Sequence, residues 1–163
     1  MPERQLPRPV IAQAISPSPA ASTSTVLAFD YGERRTGVAV GDARLRTAHP
    51  LPAIAASGAA RIAAIAKLVD EWRPERLVIG LPLGTDGGAH RLAQKVERFA
   101  RELEVKFHLT VAQVDERYTS AEAESRMREA FGARRAAQAS RARKLDSYAA
   151  QLILQQYFDE PAA

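Results

Sequence analysis

The chain has 163 residues, of which 46% are hydrophobic and 26% charged, as expected for one folded globular domain. The absence of cysteine excludes disulfide frameworks, thiolate nucleophiles and cysteine-ligated metals. No apolar run approaches the roughly 20 residues that cross a bilayer, and no secretory leader is recognisable, so we expect a cytoplasmic protein without membrane contact. Residues 1–25 are rich in Pro, Ala, Ser and Thr and predict a disordered tail before a domain over residues 26–160.

Positive charge is concentrated in one segment. Between residues 126 and 144 there are seven basic side chains and one acidic one, a local charge of +6, whereas the total is +4 and the rest of the chain is therefore −2. Such a segment indicates a polyanionic partner, with a solvated basic loop as an equal alternative. The candidate nucleic-acid contacts are Arg117, Arg126, Arg134, Arg135, Arg141, Arg143 and Lys144.

The first predicted element is a β-hairpin. Val26–Phe29 is a continuous apolar run, typical of a strand buried on both faces, and it ends at Asp30. A short glycine-containing turn leads to a second strand over Thr36–Gly41. A weaker third strand is predicted over Leu45–His49, where two prolines interrupt the pattern.

Helices and strands alternate after the hairpin. Apolar spacing and caps predict a helix over Ala59–Trp72, a strand over Leu77–Gly80, a helix through Leu92–Leu103, a strand over Leu109–Val114, a helix capped by Ser120 and, after a basic loop, a last helix through Leu145–Tyr157. The order predicts an α/β fold: a mixed five-stranded sheet with helices on both faces. The strands beginning near residues 26, 77 and 109 should be parallel, and the second strand antiparallel to the first.

Three carboxylates are predicted at one edge of this sheet. Asp30 and Glu116 directly follow strands whose carboxyl ends meet, and Asp146, at the predicted start of the last helix, can reach the same edge. Clustered carboxylates repel one another, so a hard divalent ion such as Mg²⁺ or Mn²⁺ would neutralise them. Such clusters catalyse phosphodiester displacement. Taken singly, Asp30 also fits a turn residue and Asp146 an ordinary carboxylate near a helix N-terminus.

Other chemistry-bearing residues have simpler explanations. Gly32, Gly37 and Gly41 suit the backbone geometry of the hairpin better than phosphate binding. Arg117 either pairs with a carboxylate or contacts a phosphate, and the sequence leaves both open. The P-loop, dinucleotide-binding and nucleophile-elbow motifs are absent from the sequence.

Four blocks of sequence together resemble one family. They are LAFDYGERRTGVAVGD at 27–42, VIGLPLGTDG at 78–87, VDERYTSAEA at 114–123 and KLDSYAA at 144–150. This set is similar to the YqgF family of pre-16S rRNA nucleases, also called Holliday junction resolvase-like proteins. The tail before residue 26 has no counterpart in the family pattern, and Glu33 and Thr36 differ from its commoner residues.

The resemblance implies an RNase H-like fold and a metal-dependent nuclease that trims the 5′ end of precursor 16S rRNA during ribosome biogenesis. Asp30, Glu116 and Asp146 match the acidic triad of the family. These are the carboxylates that the strand ends also indicate.

The leading hypothesis is a phosphodiester hydrolase acting on RNA, with Mg²⁺ or Mn²⁺ held by Asp30, Glu116 and Asp146. Its expected partner is precursor 16S rRNA, free or in a pre-ribosomal particle. One alternative is a DNA endonuclease that cuts Holliday junctions, which needs two active sites in a dimer. Another is a non-catalytic RNA-binding factor in ribosome assembly or transcription. The sequence leaves open whether the chain is a monomer or a homodimer.

Overall fold

The computed structural model describes residues 24–81, 87–115 and 138–160. In these ranges the elements are β1 (Thr25–Tyr31), β2 (Thr36–Asp42), β3 (Thr47–Ile54), α1 (Gly58–Trp72), β4 (Arg76–Leu81), α2 (Gly87–Phe107), β5 (Thr110–Asp115) and α3 (Gln138–Asp159). The predicted tail, apart from its last two residues, and the helix predicted at Ser120 lie outside the described residues. None of the helices described here combines the length and apolar character needed to cross a membrane.

The strands form one mixed sheet in the order β3-β2-β1-β4-β5, with β1 in the centre. Strand β2 is antiparallel to β1, whereas β4 is parallel to both β1 and β5. Parallel strands need a crossover connection, and helices α1 and α2 provide the two crossovers. The predicted fold class and strand directions are therefore confirmed.

Side chains of the central strands alternate between two apolar layers. Leu27 and Phe29 of β1 pack in the layer that contains α1 and α2, whereas Val26 and Ala28 pack in the layer that contains α3. Both layers are closed by fully buried aliphatic side chains from the helices, such as Ile65 and Leu103 on one side and Ile153 and Leu154 on the other. The sheet is thus covered on both faces, as predicted.

The predicted bounds of the third strand were wrong. Leu45 lies in the turn before β3 and is 72% exposed, and the strand continues beyond His49 to Ile54. The two prolines at 50 and 52 do not end it, because β3 lies at the edge of the described sheet, beside β2. A proline is tolerated at an edge, where its missing N–H removes no ladder hydrogen bond.

The last helix begins earlier than predicted. Helix α3 starts at Gln138, so Arg141, Arg143 and Lys144 are helical rather than part of a loop. Asp146 is accordingly the ninth residue of the helix and not at its start. Apolar periodicity begins only at Leu145, but the preceding Gln, Ala, Arg and Lys residues favour a helix without needing an apolar face.

Helix α3 and strand β2 make backbone contact at Gly37. A Cβ added to Gly37 would lie 1.9 Å from the carbonyl oxygen of Asp146 and 3.0 Å from the amide nitrogen of Ser147. These atoms belong to the helix backbone and cannot rotate away. Gly37 therefore sets how closely α3 approaches the sheet, a structural role different from the hairpin backbone geometry predicted for this glycine.

We expect Gly37→Ala to lower the free energy of unfolding by about 3 kcal/mol, the upper range for overpacking, because the added methyl group would collide with backbone. Urea denaturation would measure the loss. Ala63→Ser, on the exposed surface of α1, is the control and should stay within about 0.5 kcal/mol of the wild type. A Gly37→Ala protein as stable as the wild type would contradict the close approach.

Candidate active site

Asp30 lies on the central strand, one residue before β1 ends. Ala28, two residues earlier, faces α3, and the alternation of a strand directs Asp30 to the same side of the sheet. The side chain of Asp30 is partly buried. Its partner across the β1–β2 ladder is Gly37, the residue on which the α3 backbone rests. Asp30 is therefore beside the point where the backbones of α3 and β2 meet.

Hydrogen bonds along the edge of the sheet fix the position of α3 relative to β3. Three side chains of α3 at four-residue intervals donate to carbonyl oxygens of β3 and the turn before it: Ser147 Oγ to Leu51 at 2.5 Å, Gln151 Nε2 to Ala48 at 3.0 Å and Gln155 Nε2 to Arg46 at 3.3 Å. Because Ser147 follows Asp146 directly, this anchoring and the contact at Gly37 together place Asp146 next to the end of β1. The structure thus places the backbones of two of the three predicted ligands, Asp30 and Asp146, on either side of Gly37.

The Asp146 carboxylate is only partly neutralised. Arg35 Nε lies 3.2 Å from its Oδ2 and forms an ion pair with it. Oδ2 itself is buried, and no group in the described part of the chain donates a well-aligned hydrogen bond to it. Burial raises the pKa of Asp146, and the Arg35 guanidinium opposes this rise by favouring the charged form. Burial thus outweighs the ion pair with Arg35, and the pKa of Asp146 is raised overall.

The donor set fits a hard divalent ion. Asp30 and Asp146 offer carboxylate oxygens from two different elements. Among the described residues no well-aligned hydrogen bond reaches the buried Oδ2 of Asp146, so an ion could bind there in addition to Arg35. The third predicted ligand, Glu116, immediately follows the last residue of β5 and lies outside the described residues. Within the ranges that the structure does describe, no group of three potential metal ligands comes together.

The predicted nucleic-acid contacts are mostly beyond the described ranges. Those outside are Arg117, Arg126, Arg134 and Arg135. The backbone of the other three, Arg141, Arg143 and Lys144, belongs to the first two turns of α3. These two turns lead directly to Asp146, so the end of the basic segment and one candidate ligand share a helix.

Sequence reasoning missed two arginines at this end of the sheet. Arg35 pairs with Asp146, and its signal was its position in the turn directly after a candidate ligand. Arg61 is 4% exposed although it is charged. It precedes Ile65 by four residues and Leu68 by seven, which places it on the apolar stripe of α1. A charged residue on such a stripe was the available signal.

A mixed sheet of this order, covered by helices on both faces and carrying a carboxylate on its central strand, defines an RNase H-like α/β protein. The fold is similar to that of T. thermophilus RuvC in complex with Holliday junction substrate, with a TM-score of 0.51 over 82% of this chain and 92% of that one. At 15% identity this likeness concerns the fold alone.

Sequence comparison identifies the family. A family model described as RuvX, Holliday junction resolvase, matches residues 24–160. A relative from Dechloromonas aromatica is 49% identical over 138 residues, which is 84% of this chain and 92% of the relative. Another from Methylobacillus flagellatus is 48% identical over 145 residues, 88% of this chain and 97% of the relative. Both are named "Putative pre-16S rRNA nuclease". The chain belongs to the RuvX family, which confirms the resemblance found in its sequence.

The raised pKa of Asp146 predicts how stability varies with pH in protein freed of divalent metal. The native state binds this proton more tightly than the unfolded state, so the stabilisation is fully present below the ordinary pKa of 3.8 and is lost as the pH rises through the raised value. Asp146→Asn, which carries no charge, should lose less stability than the wild type between about pH 4 and pH 7.

Urea denaturation in EDTA at a series of pH values would measure this difference. Asp70→Asn, which removes a carboxylate that is 81% exposed on α1, should follow the wild-type profile. Parallel profiles for Asp146→Asn and the wild type would show that burial does not perturb this carboxylate.

Proposed function

We propose that this protein is a metal-dependent nuclease that processes the 5′ end of precursor 16S rRNA. The observation that carries the proposal is the juxtaposition of two carboxylates. The backbone contact at Gly37 holds Asp146 beside Asp30, and the buried Oδ2 of Asp146 pairs with Arg35 but receives no well-aligned hydrogen bond from the described residues. The names of the curated relatives support RNA as the substrate.

Asp30 would anchor the metal because it is on the most central strand, and Asp146 would complete the coordination from α3, with Glu116 as the third ligand. A divalent ion bound there would activate water and stabilise the leaving oxygen of a phosphodiester. The protein's part is to hold these carboxylates in fixed positions. Arg35, which balances Asp146 in the metal-free protein, would then be available to a phosphate oxygen of the substrate.

The basic segment would hold the RNA backbone. Its last three basic residues lie on the helix that carries Asp146. An RNA backbone bound along this segment would therefore extend toward the carboxylates. Arginine contacts to phosphate carry no base specificity by themselves. We therefore propose that the enzyme selects RNA by its shape or by its end.

A second candidate is cleavage of four-way DNA junctions. The description of the matching family names this activity, and the RuvC structure with a similar fold contains such a substrate. Symmetric junction cleavage needs two active sites held at a fixed spacing. A stable dimer in solution would favour this candidate, and a monomer would favour processing of an RNA end.

The direct test is cleavage of an end-labelled RNA that spans the 5′ junction of precursor 16S rRNA. In Mg²⁺ or Mn²⁺ we expect defined products with the wild type, none in EDTA, and a loss of at least about 100-fold in rate for Asp30→Asn, because a metal ligand is removed. A labelled four-way DNA junction in parallel reactions separates the two candidates.

Asp70→Asn is the matched control and should cleave like the wild type, since its exposed carboxylate is remote from the site. Full activity of a folded Asp30→Asn protein would disprove the assignment. Metal-independent binding of RNA without cleavage by any variant would instead support a non-catalytic RNA-binding factor.

Neutralising part of the basic segment tests whether this segment binds the RNA backbone. The double variant Arg134→Gln and Arg135→Gln should weaken RNA binding, and the slope of log affinity against log salt should fall by about 1 to 2, because up to two phosphate contacts are lost. Filter binding at several salt concentrations measures both. Lys67→Gln, exposed on α1, is the control, and an unchanged salt slope in the double variant would argue against phosphate contacts at these positions.

A further inference from the structure

Arg61 is a buried cation in the first turn of α1, on the face of the sheet opposite to Asp146. Only 4% of the residue is exposed. Desolvating a guanidinium is costly, and where packing alone is needed an apolar side chain of similar volume stabilises a core at least as well. Packing alone therefore does not explain a charged residue at this position, and the hydrogen bonds of its guanidinium do.

The guanidinium of Arg61 binds the turn between β1 and β2. Its Nη2 donates to the carbonyl oxygens of Gly32 at 2.6 Å and Glu33 at 2.8 Å, and its Nε donates to Ala56 at 3.2 Å. One side chain thus joins two successive carbonyl groups of the turn to the segment that precedes α1. A planar donor fork can do this in one orientation, whereas an ammonium group cannot reproduce all three directions.

Two aromatic rings confine the same guanidinium. Its central carbon lies 4.6 Å from the ring centroid of Tyr31 and 5.6 Å from that of Phe99, at distances typical of cation–π contact. The rings also touch each other, with centroids 5.1 Å apart. Tyr31 is the residue after Asp30, so Arg61 contacts the chain at three consecutive positions directly following the candidate ligand.

The segment that Arg61 holds connects the parts of the carboxylate site. It runs from Asp30 through the turn to Arg35, which pairs with Asp146, and to Gly37, on which α3 rests. A shift of the Gly32 and Glu33 carbonyls would therefore change the positions of Asp30 and Arg35 relative to Asp146. Supporting groups of this kind determine how well a site is pre-organised for a metal.

We propose that Arg61 is a positioning residue for the metal site: acting through the β1–β2 turn from the far face of the sheet, it sets the spacing of Asp30, Arg35 and Asp146. This inference rests on the proposed function, since it assumes that the carboxylates bind a divalent ion. Arg61 contacts neither carboxylate in its described bonds and acts through the backbone of the turn.

A second contact on the same turn provides a matched control. Lys95 of α2 forms an ion pair with the Glu33 carboxylate at the surface, where both side chains are substantially exposed. The hydrogen bond from Lys95 lowers the pKa of Glu33. This pair holds a side chain rather than the backbone of the turn, so its loss should leave the path of the chain unchanged.

The experiment measures the rise in melting temperature caused by Mn²⁺ alone, without nucleic acid, as a function of Mn²⁺ concentration. Binding to the native state stabilises it by RT ln(1 + [Mn²⁺]/Kd), so the dependence of the melting temperature on Mn²⁺ concentration gives an apparent Kd. For Arg61→Met we expect this apparent Kd to increase about tenfold, as for loss of a supporting group. Arg61→Lys should lie between Arg61→Met and the wild type, and Lys95→Met should change it less than about twofold.

The outcomes separate the two proposals. If Arg61→Met has a lower melting temperature in EDTA but the wild-type apparent Kd for Mn²⁺, Arg61 is merely structural and the inference is overturned. Arg61→Lys takes its place in this comparison should Arg61→Met not fold. If the wild type shows no Mn²⁺-dependent rise, or if Asp30→Asn retains it, the metal site of the proposed function is wrong, and the positioning role is overturned with it.

Discussion

The backbone contact between Gly37 and the α3 carbonyl of Asp146 is the constraint on which the candidate site depends. No side chain other than hydrogen fits at residue 37, where a Cβ would lie 1.9 Å from that oxygen. Because Gly37 pairs with Asp30 across the β1–β2 ladder, the same contact that packs the last helix onto the sheet also places Asp146 beside Asp30. Two carboxylates that are 116 positions apart in sequence therefore become neighbours through packing geometry rather than through attraction between them.

The turn between β1 and β2 connects the two faces of the molecule. On the α3 side, Arg35 pairs with a partly buried carboxylate whose pKa is raised by that burial. On the other side, Arg61 is enclosed by backbone carbonyls and aromatic rings. Both arrangements bury charge that a purely structural core would avoid, and such departures from favourable packing are expected at functional sites. The turn thus carries a partly buried ion pair on one face of the sheet, and its backbone is held by the buried Arg61 on the other face.

The predictable parts of the fold were those in which apolar residues are fully buried. Strands β1 and β4 read as continuous apolar runs, and their parallel pairing followed from the helix between them. Periodicity did not reveal the end of β3, where an edge strand tolerates proline, nor the first two turns of α3, which need no apolar face. Apolar periodicity places Arg61 on the buried stripe of α1 but does not identify the partners of Arg61 or Arg35, because the pattern of apolar residues carries no information on which charges find partners. The structure describes the positions of Asp30 and Asp146 but not those of Glu116 and most of the basic segment, and the roles of all these residues stay predictions.

The central claim is that Asp30 and Asp146 jointly bind a divalent ion. The most direct measurement is a crystal structure of the protein grown with Mn²⁺, using the anomalous scattering of the metal to locate it. We expect an anomalous peak within coordination distance of a carboxylate oxygen of Asp30 and one of Asp146. The absence of a peak there, with Arg35 still paired to Asp146 in saturating Mn²⁺, would contradict the central claim.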